Sequence, residues 1–320
     1  MFRKKKTSNQ LTRAELEFLT KFKNGFSSND KRAYWNDYLS KGISKTITKF
    51  KKNGLIQEGD LVQKIEYLYK VTELKKFLKK MGEKVSGRKH ELAERASAFP
   101  TEAFVKKADK LTLYTLSDNG AEKANGYLQF KATEREKAEN QCFEFLKSHK
   151  YKQALLATAK FEAKQVFQRG LGIDWKNYNP QNDISTLKII FNCKPKILKN
   201  VNDDVLQHLR LAAGMTEIWG VNDGSKWLPK DFESNLRLKD DVAVRMVLFY
   251  GFNQRNLAEY KSIGVKKVQI SPTETSCSEC KKFKGKIYTL RNAPELPHEG
   301  CTHELGCRCM YLPIIPGMNH

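Results

Sequence analysis

Apolar positions recur at helical spacing along most of the chain. Leu11, Leu16, Phe18, Leu19 and Phe22 form a first stripe, with Asn9 or Thr12 placed to cap its helix. Gly25 and the SSND string after it interrupt the pattern. Tyr34, Trp35, Tyr38 and Leu39 start a second helix that Gly42 ends, and Ile43, Ile47, Phe50 and Leu55 carry a third that Asn53-Gly54 stops. The period then changes. Leu111 to Leu116 alternates Leu with Thr and Tyr, which predicts a strand, and Ser117-Asp-Asn-Gly120 turns the chain into a helix over Ala121–Tyr127. Residues 132–170 predict two helices broken near Ser148–Tyr151. Gly170, Gly172 and Pro180 mark a loop, and residues 184–262 are helical again. In the last sixty residues Gly, Pro and Cys rise and only short strands are predicted, at Val268–Ile270 and Lys286–Leu290.

The predicted fold is mainly α and multidomain. Residues 1–130 form a basic N-terminal region, 131–262 a helical middle domain, and 263–320 a small cysteine-rich α+β domain. The three-helix run ending in KKNGLI, followed later by LYTLSDNGAEKANGYL, resembles winged-helix DNA-binding domains, whereas a plain helical bundle would carry the same stripes. On the winged-helix reading, residues 60–100 are inserted between two pieces of the winged unit or form a neighbouring module.

Charge narrows the function. Lys and Arg number 58 against 36 Asp and Glu, a formal +22 with a pI near 9.6. Residues 1–100 hold 24 of those cations and 11 of the acids. Such a balance points to a polyanion, most often nucleic acid. Eighteen Phe, 12 Tyr and 4 Trp supply cores and argue against full disorder. Mean hydropathy of −0.62 excludes a multispan membrane protein. No segment reads as a signal peptide or a span, so a cytoplasmic protein with no membrane partner is expected.

Within the basic region, residues 70–99 predict a helix–loop–helix hairpin. Leu74, Phe77 and Leu78 share one face, Gly82 ends the first helix, and Leu92, Ala93 and Ala96 form the inner face of the second. Lys75, Lys76, Lys79 and Lys80 lie outside, Lys84, Ser86 and Gly87 occupy the loop, and Arg88 and Lys89 open the second helix. Free backbone N–H groups and the helix dipole there would favour a phosphate. Through Leu74, Leu78, Gly82, Gly87, Lys89, Leu92 and Arg95, residues 66–99 resemble the SAP domain. That resemblance implies binding to double-stranded DNA through its backbone with weak sequence preference. Glu83 departs from the family's apolar residue after the glycine.

Seven cysteines, odd in number, fit a disulfide framework poorly. Cys142 and Cys193 read as ordinary buried thiols. Cys277-x-x-Cys280 offers half of a tetrahedral zinc site, and the other half must come from His298, Cys301, His303, Cys307 and Cys309. The candidate ligands are thus Cys277, Cys280, His298, Cys301, Cys307 and Cys309 for one structural Zn(II), with a disulfide or unlinked thiols as the alternatives. Cys277 and Cys280, Gly285-Lys286 with Tyr288, Pro294, Pro297, His298, Cys307-Arg-Cys309 and Tyr311-Leu-Pro313 resemble the cysteine-rich end of the Mu-type phage minor head protein family. That resemblance implies a phage portal or capsid protein as a partner, and Gly300–Gly306 departs from it as an insertion. No phosphate loop, nucleophile elbow or dinucleotide fingerprint is present, so no catalytic residue is assigned. A metal-dependent nuclease or toxin using His298 and His303 is the enzymatic alternative. Asp203-Asp204 and Asp240-Asp241 read as solvated pairs.

Overall fold

A computed structural model describes residues 10–27, 32–170, 172–220, 223–233 and 236–315. The expected cap Asn9 and most of the SSND break lie outside the described residues. The chain divides into two compact units, Met1–Glu134 and Arg135–His320.

In the first unit, helix α1 (Arg13–Leu19) is capped by Thr12, whose hydroxyl accepts from Glu15 N while the Glu15 carboxylate accepts from Thr12 N. A 3-10 turn, Thr20–Asn24, leads to strand β1 (Phe26–Ser27). The expected second helix is a single 3-10 turn, Ala33–Asp37. Gly42 begins helix α2 (Gly42–Lys52) instead of ending the element before it. Its positive φ of 71° makes the corner, and Asn36 Oδ1 accepts from Ile43 N just beyond. Strand β2 (Ile56–Glu58) follows. Helices α3 (Leu61–Leu68), α4 (Val71–Lys80), α5 (Lys89–Ser97) and α6 (Ala103–Asp109) then intervene before strand β3 (Leu113–Leu116). The three strands form one antiparallel sheet in the order β1-β3-β2, with Ile56 opposite Leu116 and Phe26 opposite Tyr114. An aromatic cluster fills the core: the Phe18 ring lies 4.9–6.0 Å from those of Phe22, Phe26, Trp35 and Phe50. Such edge and tilted pairs add to the burial of large apolar area.

Helix α7 (Asp118–Lys147) contains the division between the units. Its start is fixed to the turn after α2: Ser117 N donates to Leu55 O, and Ser117 Oγ to Gly54 O.

In the second unit the predicted break falls where expected. Helix α7 ends at Lys147, His149 adopts a positive φ of 55°, and helix α8 runs Tyr151–Glu162. Helices α9 (Gln181–Asn192), α10 (Asp203–Trp219) and α11 (Asp240–Ser262) pack on one another. Asp203-Asp204 and Asp240-Asp241 open α10 and α11, where the dipole favours them, and Asp241 pairs with Arg245 at 2.7 Å. The chain ends in strand β4 (Lys267–Ser271), a short helix α12 (Ser278–Lys281), and strands β5 (Ile287–Thr289) and β6 (Met310–Ile314). Their antiparallel order is β5-β4-β6. Composition changes near residue 263, but the packing runs on. Val268, Ile270, Cys280, Leu296, Cys301, Cys307, Cys309 and Tyr311 join the same apolar core as Leu187, Leu209, Met215 and Val247. Among the described residues no helix is long and apolar enough to cross a membrane.

Candidate nucleic-acid interface and metal centre

The hairpin at residues 70–99 is helices α4 and α5. Leu74, Leu78, Leu92, Ala93 and Ala96 are fully buried against Ile65 of α3 and Val105 and Ala108 of α6. Phe104 stacks on Tyr69 at 3.7 Å and on Phe77 at 4.3 Å, and Tyr69 Oη donates to Phe104 O. The flanking helices α3 and α6 complete this small core beyond the predicted hairpin, and Leu61, Ile65 and Leu68 carry the helical spacing of α3.

Local chemistry sets the loop. After α4, Gly82 takes φ 76° and Glu83 N donates back to Leu78 O, which closes the helix end. The Glu83 side chain is exposed, so its departure from the SAP pattern costs no packing. Gly87 takes φ 121°, and a Cβ there would stand 2.3 Å from Glu91 Oε2. Arg95 Nη2 donates to Ser86 O at 2.5 Å and ties the loop to α5.

Lys75, Lys76, Lys79, Lys80, Lys84, Ser86, Gly87 and Arg88 are all exposed. Lys89 is half-buried and lines a cleft with Lys23, Gln63, Glu66 and Asn125. The described ion pairs of this module are Lys64–Glu58 and His90–Glu66, which leaves the hairpin cations to solvent or a polyanion. One detail differs from expectation. Glu91 accepts from Arg88 N at 3.2 Å, so a carboxylate already occupies the N-terminal turn of α5. The attraction for phosphate therefore comes from the side chains more than from free backbone N–H groups.

In the second unit five of the six expected ligands converge. The sulfurs of Cys277, Cys280 and Cys301 lie within 4.8 Å of one another, as do those of Cys280, Cys307 and Cys309. The Cys277–Cys301 and Cys280–Cys307 separations are 3.8 and 3.9 Å. A disulfide would need about 2.05 Å, whereas thiolates on a tetrahedral ion with bonds of about 2.3 Å stand roughly 3.8 Å apart. The donor set thus fits a soft divalent cation, and the cluster could hold one. Burial pushes the Cys277 thiol up, but N–H groups of Cys280 and Thr302 donate to its sulfur and bring it down to about 6. Hydrogen bonds from the Cys280, Cys301 and Cys309 thiols hold Cys307 as a thiolate, while Cys280 is driven up as its donor.

Neither histidine ring belongs to either sulfur group, although the backbone N–H groups of His298 and His303 donate to the sulfurs of Cys307 and Cys301. His298 sits edge-on to Phe283 at 4.8 Å, and its buried Nδ1 has no hydrogen-bond partner among the described residues. His303 Nδ1 accepts from Leu305 N, and its Nε2 faces Arg308. Cys142 and Cys193 are buried, with burial raising both thiols, to about 11 and about 12.

One polar group was invisible in the sequence. Glu217 of α10 and Asp183 of α9 share a cavity of about 200 Å³ with Arg169, Trp175 and Tyr178. Burial and the Asp183 charge raise Glu217 to about 7. Tyr178 Oη donates to Asp183 Oδ2.

A family profile described as the SAP domain matches residues 68–98. The module is therefore similar to SAP domains, within bounds close to the 66–99 read from the residues, and the match points to nucleic-acid binding. It covers this module alone. No curated protein and no solved structure matches the chain.

Proposed function

We propose that the protein binds double-stranded DNA without catalysing a reaction on it. Helices α4 and α5 provide a phosphate-contacting surface, and the cysteine-rich segment holds one structural zinc. The exposed cations of the SAP-type hairpin carry this reading: Lys75 and Lys79 share one helix face, Lys76 and Lys80 the next, and Arg88 and Lys89 open α5. The sheet order and the helices before it support a winged-helix arrangement for the rest of the first unit, with residues 59–112 inserted between its last two strands.

Neutralising three or four phosphates gives a slope of log affinity on log salt of roughly −3 from this module. Replacing Arg88 and Lys89 by Ala should weaken binding to all duplex sequences alike and flatten that slope by about 1–2. Anisotropy titrations at several salt concentrations measure both. Unchanged affinity and slope would mean that the hairpin is only a solvated surface.

Zinc, when bound, would supply a closed cross-link between Cys277–Cys280 and the Cys301–Cys309 segment. Four thiolates leave no coordination position for a reacting water, which favours a structural role over hydrolysis. DNA cleavage in Mg(II) or Mn(II) that disappears in His298→Ala or His303→Ala would select the nuclease reading instead. The head-protein resemblance of residues 277–313 is a separate reading, which co-purification of the full chain with a portal or capsid protein would select.

A further inference from the structure

A cleft of about 660 Å³ opens where residues 59–112 meet the sheet of the first unit. Small-molecule sites commonly occupy about 300–1,000 Å³, so the cleft has room for one compact ligand. Strand β3 lines it with Leu113, Thr115 and Leu116, helix α3 with Gln63, Glu66 and Tyr67, and helix α7 with Asn125. Two cations complete the lining: Lys23 from the turn before β1, and Lys89, the first residue of α5.

Folding leaves one polar atom of this cleft without a partner. Thr115 is only 8% exposed, and its buried Oγ1 has no hydrogen-bond partner among the described residues. A buried hydroxyl normally finds one, because losing water without a replacement is costly. Thr115 and Leu113 project from the same face of β3, so the missing partner must reach the hydroxyl through the cleft. The other polar groups also keep capacity in reserve. Neither Lys23 nor Lys89 has an ion pair among the described residues, and Lys89 is half-buried where Lys75, Lys76, Lys79 and Lys80 are exposed. Gln63 Oε1 accepts from Asp60 N at 3.0 Å, which leaves its two amide N–H groups. The Asn125 amide is exposed and offers a donor and an acceptor together. Glu66 meets His90 Nδ1 at 3.2 Å through one carboxylate oxygen and keeps the other.

We propose that this cleft binds a free nucleoside monophosphate. Lys23 and Lys89 neutralise its phosphate through charge-assisted hydrogen bonds. The Thr115 hydroxyl and the second Glu66 oxygen take the sugar hydroxyls, which both donate and accept. The Gln63 and Asn125 amides match the donors and acceptors on a base edge, and the Tyr67 ring offers a stacking face. Each of the three parts of a nucleotide thus meets its own chemistry, whereas inorganic phosphate would use only the lysines. The site is distinct from the exposed cations of α4 and does not rest on the DNA-binding reading. A free nucleotide and a nucleotide within bound DNA share this chemistry, and the experiment separates the two.

The test uses the full chain. Wild type, Lys23→Gln, Thr115→Val and Asn125→Ala are titrated by calorimetry with the 5′-monophosphates of adenosine, guanosine, cytidine and uridine, with the four nucleosides, and with inorganic phosphate. A labelled DNA duplex is titrated in parallel by anisotropy. At least one monophosphate should bind once per chain, about tenfold or more tighter than its nucleoside or inorganic phosphate. Lys23→Gln should weaken that monophosphate about tenfold and leave the nucleoside little changed. Thr115→Val should weaken both by about fivefold. Without ligand, Thr115→Val should melt at or above the wild-type temperature, because its methyl group replaces an oxygen that had no partner. A lower melting temperature would assign the hydroxyl to the fold instead and overturn the proposal. Asn125→Ala repeats the binding test at an exposed helix position that leaves the core untouched. No bound monophosphate, inorganic phosphate bound as tightly as the nucleotide, or wild-type binding by all three variants also overturns it. Duplex affinity should be unchanged in Thr115→Val and Asn125→Ala. A loss in step with the monophosphate assigns the cleft to a nucleotide of the DNA and overturns the free-ligand proposal.

Discussion

Replacing Glu217 by Gln should change how the stability of the second unit depends on pH. The carboxyl lies on α10 beside Asp183, walled by Trp175, Tyr178 and Ile218. Burial and the neighbouring carboxylate raise it from 4.5 to about 7. Each tenfold change in proton affinity corresponds to about 1.36 kcal/mol, so the gap amounts to about 3 kcal/mol. The sign follows from linkage. Below pH 4.5 the group is protonated whether the chain is folded or unfolded, and its full contribution is present. As pH rises through about 7 the unfolded chain has already released its proton, and the folded chain must hold a buried charge. Wild type should therefore lose about 3 kcal/mol from this group across that window. Glu217→Gln stays neutral and keeps the contribution. Denaturant midpoints for both proteins at about pH 5, 6, 7 and 8 give the comparison, and the titration of the thiol cluster cancels in the difference. The variant should be nearly neutral at the acid end of that range and stabilising at the alkaline end. A difference that does not vary with pH, or that grows toward acid, refutes the reasoning.

The first unit should respond in the opposite sense. Burial pushes Glu17 up, but Lys131 at 2.6 Å, Lys21 and the Tyr127 hydroxyl hold it below its ordinary value. Its contribution is present above 4.5 and lost as pH falls, and Glu17→Gln should cost about 2 kcal/mol at neutral pH, read by denaturant titration. Protein purified without added metal should contain about one zinc per chain, and a strong chelator should lower the melting of the second unit alone; metal-free protein with the same melting curve would oppose this. Gly120→Ala should destabilise the first unit by about 3 kcal/mol in thermal melts, because its Cβ would stand 1.8 Å from Leu55 O. Gly126→Ala, farther along the same helix, meets nothing within 4 Å and should stabilise by about 1 kcal/mol.

Features written in local chemistry were legible. The break at Ser148–Tyr151, the strand at Leu113–Leu116 and the hairpin core of Leu74, Leu78 and Leu92 follow from spacing and from residues that stop helices. Convergence of Cys277, Cys280, Cys301, Cys307 and Cys309 was also foreseeable, because thiols at these spacings on short loops have few other uses. Other features depend on long-range placement. Asp183 and Glu217 sit on different helices with no shared motif, and only the packing of α9 on α10 joins them. The Tyr34–Leu39 segment carries helical spacing, yet too few residues precede the Gly42 corner for more than one tight turn. The change of composition near residue 263 reads as a boundary, although the core continues through it; a cysteine-rich segment can complete its apolar packing on neighbouring helices.

The placement of residues 59–112 has a consequence for the order of assembly. Strand β2 ends at Glu58, whose partner in the sheet is Tyr114, and Gly59 N donates to Leu113 O. The segment thus leaves and re-enters the sheet one hydrogen bond apart. While it is unfolded, β3 must find β2 across a long floppy loop, and that search carries an entropic cost that grows with loop length. Once α3–α6 have formed their own small core, most of that freedom is gone and the two ends are held near each other. Sheet completion should therefore follow the insert, and a slow-folding variant of the insert should delay the burial of Phe18 and Trp35 in the aromatic cluster outside it.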